Sequence, residues 1–264
     1  MENFWLMGDS GGLPGHITGI AMYGPEHLLW LAAGAALWVA MALAYRRMGP
    51  ENRRRTALAL AWLIFALEAV RMALQGGLGV FTRHLIPLHL CGLATYLTLL
   101  HALRGAKSPA GEPPSQKNVL LGEVLYSLCL PGAVCALIFP DWVAFPILNA
   151  QSMQSFLTHI FLTAYPVMLV AGGDIRPSAR RLPKCLLFIA ALAAPIYILN
   201  KIIGTNFFFL NEPSPGSPLE LFGMLGNPGY ILGYIPIVGA AWLLLYGPPA
   251  IWRKLRDRKT APMR

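Results

Sequence analysis

The chain has 264 residues, of which 56% are hydrophobic and only 12% are charged, whereas soluble domains carry about 25% charged residues. This composition excludes an ordinary soluble protein and predicts a single membrane domain, residues 1–264. The net charge of +9 does not call for a nucleic acid partner, because its cations fall in short loops of the kind that face the cytoplasm.

Apolar runs of about 20 residues, the length that crosses about 30 Å of hydrocarbon, occur seven times. They predict an all-α polytopic membrane protein, a bundle of seven transmembrane helices in which Pro87 lies in the first turn of the third helix. The predicted helices cover residues 27–46, 55–76, 84–103, 118–139, 152–172, 184–203 and 229–252.

Lysine and arginine residues are concentrated after alternate helices of this series. Eighteen of the 21 follow the first, third, fifth or seventh helix, and short cytoplasmic loops retain such cations. We therefore expect the N-terminus outside, the C-terminus in the cytoplasm, and a multi-pass protein of the cell membrane.

Polar residues interrupt several helices near their predicted outer ends. Glu68 and Arg71 share one face of helix 2, because they are three residues apart, and they form either a functional pair or a structural ion pair. Helix 5 carries Gln154 and His159 in a polar stripe, which predicts either a wet cavity or hydrogen bonds between helices. The other members of the group are His84, His89, Cys91, Asn200, Lys201 and Asn206. Ionisable groups cost roughly 2.5 to 3.5 kcal/mol each at a bilayer centre, so the grouping predicts a buried polar site.

Cys91 is the candidate nucleophile of this group. A lone cysteine usually behaves as a small buried hydrophobe, but a thiol beside a histidine can be activated to attack a carbonyl. On a regular helix His89 points away from Cys91, and His84 lies about 10 Å along the axis. His159 has the same predicted depth as Cys91 and is the candidate base.

The outer loop at 204–230 mixes aromatic residues with prolines. It predicts either an aromatic belt at the membrane interface, shared with Trp5, Tyr23 and Trp142, or a lid over a lipid-accessible cavity. Lys201, just before this loop, is explained equally well by snorkelling of its ammonium group toward water.

Several of the polar residues are of metal-ligand type, namely His84, His89, His159, Cys91 and Glu68. Their spacing matches none of the HxxxH, CxxC or HExxH patterns, so we expect no metal and no other cofactor. Helix 7 has no lysine before the basic tail, which excludes a retinal protein.

Five segments resemble the bacterial YwaF family of integral membrane proteins almost from end to end. They are GPEHLLWL at 24–31, LEAVR at 67–71, LIPLHLCGLATYL at 85–97, LTHIFL at 157–162, and LNKIIGTNFFFL with the later GNPGYIL. That family is remotely similar to the eukaryotic transmembrane protein 164 family, described as cysteine-dependent acyltransferases that make ether phospholipids. The resemblance implies that Cys91 is the essential cysteine and His159 its partner.

The leading expectation is a lipid acyltransferase in the outer half of the bilayer that holds the acyl chain as a thioester on Cys91. Its partner would be a membrane phospholipid or lysophospholipid. Arg71, Asn200 or Asn206 would donate to the oxyanion, and Glu68 would hold Arg71. A lipid-ester hydrolase with the same residues and a non-enzymatic lipid-binding or transport protein both remain open, as does the oligomeric state.

Overall fold

The computed structural model of the protein describes residues 4–8, 19–107 and 114–260, with side chains described up to residue 248. The principal helices are α1 Pro25–Arg47, α2 Pro50–Gly77, α3 Leu90–Lys107, α4 Gln116–Ile138, α5 Ala150–Gly172, α6 Leu182–Ile203 and α7 Tyr234–Thr260. Within the described ranges there is no strand. The predicted all-α class is therefore confirmed.

In the part of the chain that the structure describes, six helical segments are long and apolar enough to cross a membrane. They are Pro25–Arg47, Pro50–Gly77, Gln116–Ile138, Ala150–Gly172, Ala179–Ile203 and Pro218–Pro248. Helix α3 is not among the six, because His101, Arg104 and Lys107 lower the mean hydropathy of its 18 residues. The predicted count of seven crossings and the predicted orientation thus remain predictions.

Helix α3 begins later than the sequence pattern predicts. Residues Arg83–Leu85 form a 3₁₀ turn, Ile86 has an extended ψ of 132°, and the helix starts at Leu90. The prediction that Pro87 lies in the first helical turn was therefore wrong. The physical reason is that a proline disfavours the helical conformation of the residue before it, so the helix starts beyond the proline.

Helix α5 lies at the centre of the bundle and contacts α1, α2, α3 and α4. Small residues let the helices approach closely, as expected where lipid gives no hydrophobic driving force between helices. Ala61, Ala94, Ala133 and Ala164 are at most 1% exposed. The bundle core is therefore packed around α5, and the site described below lies on this helix.

Helix α4 contains one π-helical turn, Leu125–Cys129, just before Pro131. A proline has no N–H, so the carbonyl four residues earlier loses its helical partner. That carbonyl belongs to Ser127, and it accepts a hydrogen bond of 3.0 Å from Trp242 Nε1. The carbonyl freed by this break in α4 therefore binds α7.

The segment between α6 and α7 folds back over the start of α3. Phe207 and Phe208 pack against Leu88 and Leu90. Phe208 and Phe209 both have positive φ, 58° and 50°, which is strained for a bulky residue. Two tyrosines hold this turn: Tyr234 Oη donates to Phe208 O and Tyr230 Oη to Phe209 O, each at 2.7 Å. This turn is therefore tied to the segment that leads into α7.

Candidate functional site

Arg71 of α2 is the most connected polar side chain in this half of the bundle. Its Nε and Nη2 donate to Glu68 at 3.0 and 2.5 Å, its Nη1 to Gln75 Oε1 at 2.7 Å, and Nη2 also to Leu85 O at 3.2 Å. The Arg71 and Glu68 side chains are only 12% and 8% exposed. The predicted ion pair is present, and it fixes the loop before α3 to α2.

The same network reaches α5 and the amino-terminal segment. Gln75 Nε2 donates to Gln151 Oε1 at 3.2 Å. The Gln151 amide makes two hydrogen bonds with the backbone of Gly8, at 2.8 and 2.9 Å. Gln154, one turn further along α5, donates to Thr158 Oγ1 at 3.0 Å and to Leu67 O at 3.4 Å. The polar stripe of α5 therefore joins helices, which is one of the two predicted roles.

His159 is the member of that stripe with a free nitrogen. Its Nδ1 lies 2.7 Å from Ser155 O, and because a carbonyl only accepts, Nδ1 carries the proton. Nε2 is therefore the unprotonated nitrogen, and it bonds to no described residue. The indole of Trp142 stacks on the imidazole, with ring centroids 4.8 Å apart and planes at 22°. The His159 imidazole is thus held in one orientation.

Cys91 is the second residue of α3 and a partly buried free thiol. Asp141 and Glu68 act electrostatically on both the Cys91 thiol and the His159 ring. The structure therefore brings Cys91, His159, Asp141 and Glu68 into one region, although no hydrogen bond joins Cys91 to His159 in the described parts of the chain. We call Cys91, His159, Asp141 and Trp142 the thiol site.

His89 lies just outside α3 and faces the aromatic turn. Its ring contacts Phe207 and Phe209, with centroids 5.4 and 5.0 Å apart. Burial lowers the pKa of the His89 imidazole to about 4, so this ring is neutral at pH 7. His89 also acts electrostatically on His159, which places it beside the thiol site. His84, by contrast, is exposed in the 3₁₀ turn.

The polar residues at the end of α6 are engaged in holding their own loop. Asn200 is fully buried, donates to Phe207 O and accepts from Phe207 N and Thr205 Oγ1, all at 2.9 Å. Asn206 bonds the backbone of the turn at 211–212. Lys201 is exposed and donates to Asn227 Oδ1 at 3.2 Å. Each of the two amides thus bonds its own loop, whose Phe207 and Phe209 rings lie against His89.

The sequence analysis did not identify two residues of the thiol site as site residues, Asp141 and Trp142. Trp142 is only 7% exposed, so its expected place in an interfacial belt was wrong, whereas Trp5 and Tyr23 are 58% and 49% exposed. The signal available in the sequence was Asp141, the single acidic residue between α4 and α5. Asp141 lies in the connection that leads from α4 to the helix that carries His159.

The sequence analysis also did not identify Glu123 of α4. This carboxylate is 1% exposed and lies about 15 residues of helix away from the end of α4 that leads to Asp141, or about 22 Å. It accepts from Ser178 N at 3.1 Å, from Arg181 Nη1 at 2.8 Å and from Tyr246 Oη. We call Glu123, Ser178, Arg181 and Tyr246 the Glu123 cluster.

Among the described residues no group of three or more histidine, cysteine, aspartate or glutamate side chains is arranged to hold a metal ion. A thiol, a free imidazole nitrogen and a nearby carboxylate are the parts used in nucleophilic acyl transfer.

A model of the TMEM164 family matches residues 22–246. The match covers most of the chain and includes every residue of the thiol site, so the protein belongs to the TMEM164 family. No curated protein and no solved structure is significantly similar to it. The likeness to the transmembrane protein 164 family is thus confirmed, while the assignment to the bacterial YwaF family stays a prediction.

Proposed function

We propose that this TMEM164-family protein is a membrane acyltransferase that passes a phospholipid acyl chain through a thioester on Cys91. The observation that carries the proposal is the state of His159. Its Nδ1–H is bound to Ser155 O, which leaves Nε2 as a base in the region that holds the Cys91 thiol. Family membership supports the same activity.

The first half-reaction transfers the acyl chain to the enzyme. His159 Nε2 takes the thiol proton while Cys91 Sγ attacks the ester carbonyl, and the tetrahedral intermediate carries an oxyanion. When it collapses, the carbon–oxygen bond of the ester breaks. His159 returns the proton to the leaving oxygen, which gives a lysophospholipid and the thioester.

The second half-reaction is the reverse with a new acceptor. A lysolipid hydroxyl gives its proton to His159 Nε2, and its oxygen attacks the thioester carbonyl. The carbon–sulfur bond then breaks, and the Cys91 thiolate takes the proton back. Exclusion of water by the surrounding apolar residues favours transfer to lipid over hydrolysis.

Local charge supports the proton transfer. An apolar environment disfavours an isolated thiolate, so a base must be at hand when the thiol attacks. The positive end of the α3 dipole lies at Cys91 and favours negative charge on sulfur. Asp141 favours the imidazolium that forms on His159, although the same carboxylate disfavours the Cys91 thiolate. Arg71 neutralises Glu68, so it acts here as a positioning residue.

We further propose that the chain crosses the membrane seven times, with α3 as the additional crossing, the N-terminus outside and the C-terminus in the cytoplasm. The 18 residues of α3 rise about 27 Å at 1.5 Å each, close to the hydrocarbon thickness. Its start lies at the thiol site. In its second half His101 Nδ1 lies 2.9 Å from Tyr165 Oη of α5.

This arrangement places the thiol site in the outer half of a cell membrane, as expected for a YwaF-like bacterial protein. A reporter that is active only in the cytoplasm, fused to the C-terminus, tests the orientation. Activity of the fused reporter is the expected result. A silent reporter on a well-expressed fusion would move the thiol site to the inner leaflet.

The activity is tested with purified protein in vesicles that contain a phospholipid with a labelled acyl chain and an unlabelled lysophospholipid. We expect label in newly made phospholipid with the natural chain and with Cys135→Ala, and none with Cys91→Ala. Cys135 is the matched control because it is an exposed free thiol that acts electrostatically on Cys91.

The alternatives give different outcomes in the same assay. Label released as free fatty acid, with the same dependence on Cys91, would identify a hydrolase. Full transfer by Cys91→Ala would overturn the proposed mechanism. Lipid that stays bound without turnover in the natural chain would indicate a binding or transport protein.

A further inference from the structure

Trp142 carries a buried hydrogen-bond donor without a partner. The residue is 7% exposed, and its Nε1–H has no acceptor among the described residues. A buried donor left unpaired costs about 1 to 3 kcal/mol, so buried indoles normally find an acceptor. An unpaired indole at a reaction site therefore requires an explanation.

Other tryptophans of this chain follow the normal rule. Trp38 Nε1 donates to Ile160 O at 2.9 Å, and Trp242 Nε1 donates to Ser127 O at 3.0 Å. Trp38 and Trp242 are only partly buried, whereas Trp142 is buried, yet its indole bonds no carbonyl among the described residues. Its donor is thus left available for a molecule that enters the site.

The position of Trp142 indicates what that molecule offers. The indole stacks on His159 at 4.8 Å and meets Phe156 edge-on at 5.3 Å, with Phe145 and Leu137 in the same apolar cluster. Phe156, Phe145 and Leu137 make the surroundings of the indole apolar. A neutral donor in such surroundings suits a neutral acceptor that gains negative charge during the reaction.

We propose that Trp142 Nε1–H donates to the acyl carbonyl oxygen of the bound lipid and holds it as the oxyanion forms. This inference rests on the proposed function, which assigns no donor to the oxyanion. The inference supplies that donor. The side-chain amides of Asn200 and Asn206 donate to their own loop. Most of the donors of Arg71 bond Glu68, Gln75 and Leu85. Trp142 Nε1 is an unpaired buried donor on a ring that stacks against the base.

The test is Trp142→Phe, which keeps an aromatic ring against His159 and removes the N–H. We expect the rate of thioester formation on Cys91 to fall by about 10² to 10³, the usual effect of removing one oxyanion donor. Retention of lipid by the protein should stay the same, because the interaction strengthens only in the transition state. Replacing Trp142 with β-(3-benzothienyl)alanine, which keeps the bicyclic shape and lacks the N–H, should give the same fall.

A spectroscopic readout separates this role from a packing role. In the acyl-enzyme made with a carbonyl-¹³C chain, loss of the donor should raise the infrared stretching frequency of the thioester carbonyl. Trp38→Phe is the matched control: it breaks the bond to Ile160 O, so it should lower thermal stability without changing the acylation rate of the folded protein or the carbonyl frequency.

The outcomes distinguish the two proposals. If the natural chain forms a thioester on Cys91 and both Trp142 variants form it at the same rate, this inference is wrong and the acyltransferase proposal stands. If the natural chain forms no thioester, both are wrong. A slower rate without a change in carbonyl frequency would assign Trp142 to positioning His159 and overturn its role as a donor.

Discussion

The thiol site and the Glu123 cluster are both polar groups inside an apolar bundle, and they differ in how far their hydrogen bonds are satisfied. Glu123 accepts from Ser178, from Arg181 and from Tyr246, and so ties α4 to α7 and to the turn before α6. In the thiol site the Cys91 thiol, His159 Nε2 and Trp142 Nε1 have no bonded partner in the described part of the chain. The His159 ring is nevertheless held by Ser155 O and by the stacked indole of Trp142.

This difference separates a structural role from a chemical one. A satisfied buried carboxylate gives rigidity and leaves nothing for a ligand. The open positions on the thiol, the imidazole and the indole are the ones that the proposed function uses for chemistry on a third molecule. The contrast predicts that changes in the thiol site reduce activity at nearly constant stability, while changes in the Glu123 cluster do the opposite.

The largest effect is expected from His159→Gln. Glutamine keeps size and polarity but cannot accept the thiol proton, so acylation of Cys91 should fall by about 10³, within the range for general bases. Thioester formation followed by mass spectrometry measures it. The control is His101→Gln, because His101 is also buried and bonded, through Tyr165, yet lies away from Cys91. Equal acylation rates for the natural chain and His159→Gln would contradict the assignment of the base.

Glu123→Gln should show the opposite pattern. It removes the charge that pairs with Arg181, whose side chain is 33% exposed. The loss in free energy of unfolding should therefore exceed that for a surface pair and lie at the lower end for a buried pair, about 3 kcal/mol. The thermal midpoint in detergent should fall while the acylation rate per folded molecule is retained. Glu220→Gln, at an exposed acid, provides the control. A loss of acylation at unchanged stability would mean that the two regions are not separate.

Asn200→Ala tests the loop that lies against His89. It removes three hydrogen bonds at a fully buried position, which at about 0.6 kcal/mol per bond in membrane proteins amounts to about 2 kcal/mol. Thermal unfolding measures the loss, and proteolysis after residue 204 should become faster. An unchanged midpoint would show that the loop is held mainly by its aromatic residues.

Lys201→Met should have the smallest effect. The ammonium group is exposed, bonds Asn227 at 3.2 Å and lies 5.3 Å from the Tyr197 ring, and exposed pairs contribute below about 1 kcal/mol. Neither the thermal midpoint nor the acylation rate should change measurably. A loss of lipid retention in this variant would instead place Lys201 in the binding site.

The features that depend on local spacing were predictable from the sequence. Helices were expected from apolar runs, and the Glu68–Arg71 pair from a spacing of three, because both depend only on neighbouring turns. The start of α3 was misplaced because the effect of Pro87 on Ile86 was given less weight than the apolar run.

The features that depend on tertiary packing were not predictable. Trp142 and Asp141 reach His159 through the path of a loop, and the Glu123 cluster needs three separate elements to meet. The sequence predicted that Asn200 could donate to a substrate. In the structure its amide donates to Phe207 O, seven residues further along the chain. Polar residues in a membrane bundle therefore show where a site lies, whereas their free atoms become known only from the fold.

The most direct test of the central claim is peptide mass spectrometry of the protein after incubation with a phospholipid that carries a labelled acyl chain. The account predicts a labelled acyl mass on the peptide that contains Cys91, removed by hydroxylamine and missing in His159→Gln. A folded protein that retains lipid but shows no such mass on Cys91 would contradict the account.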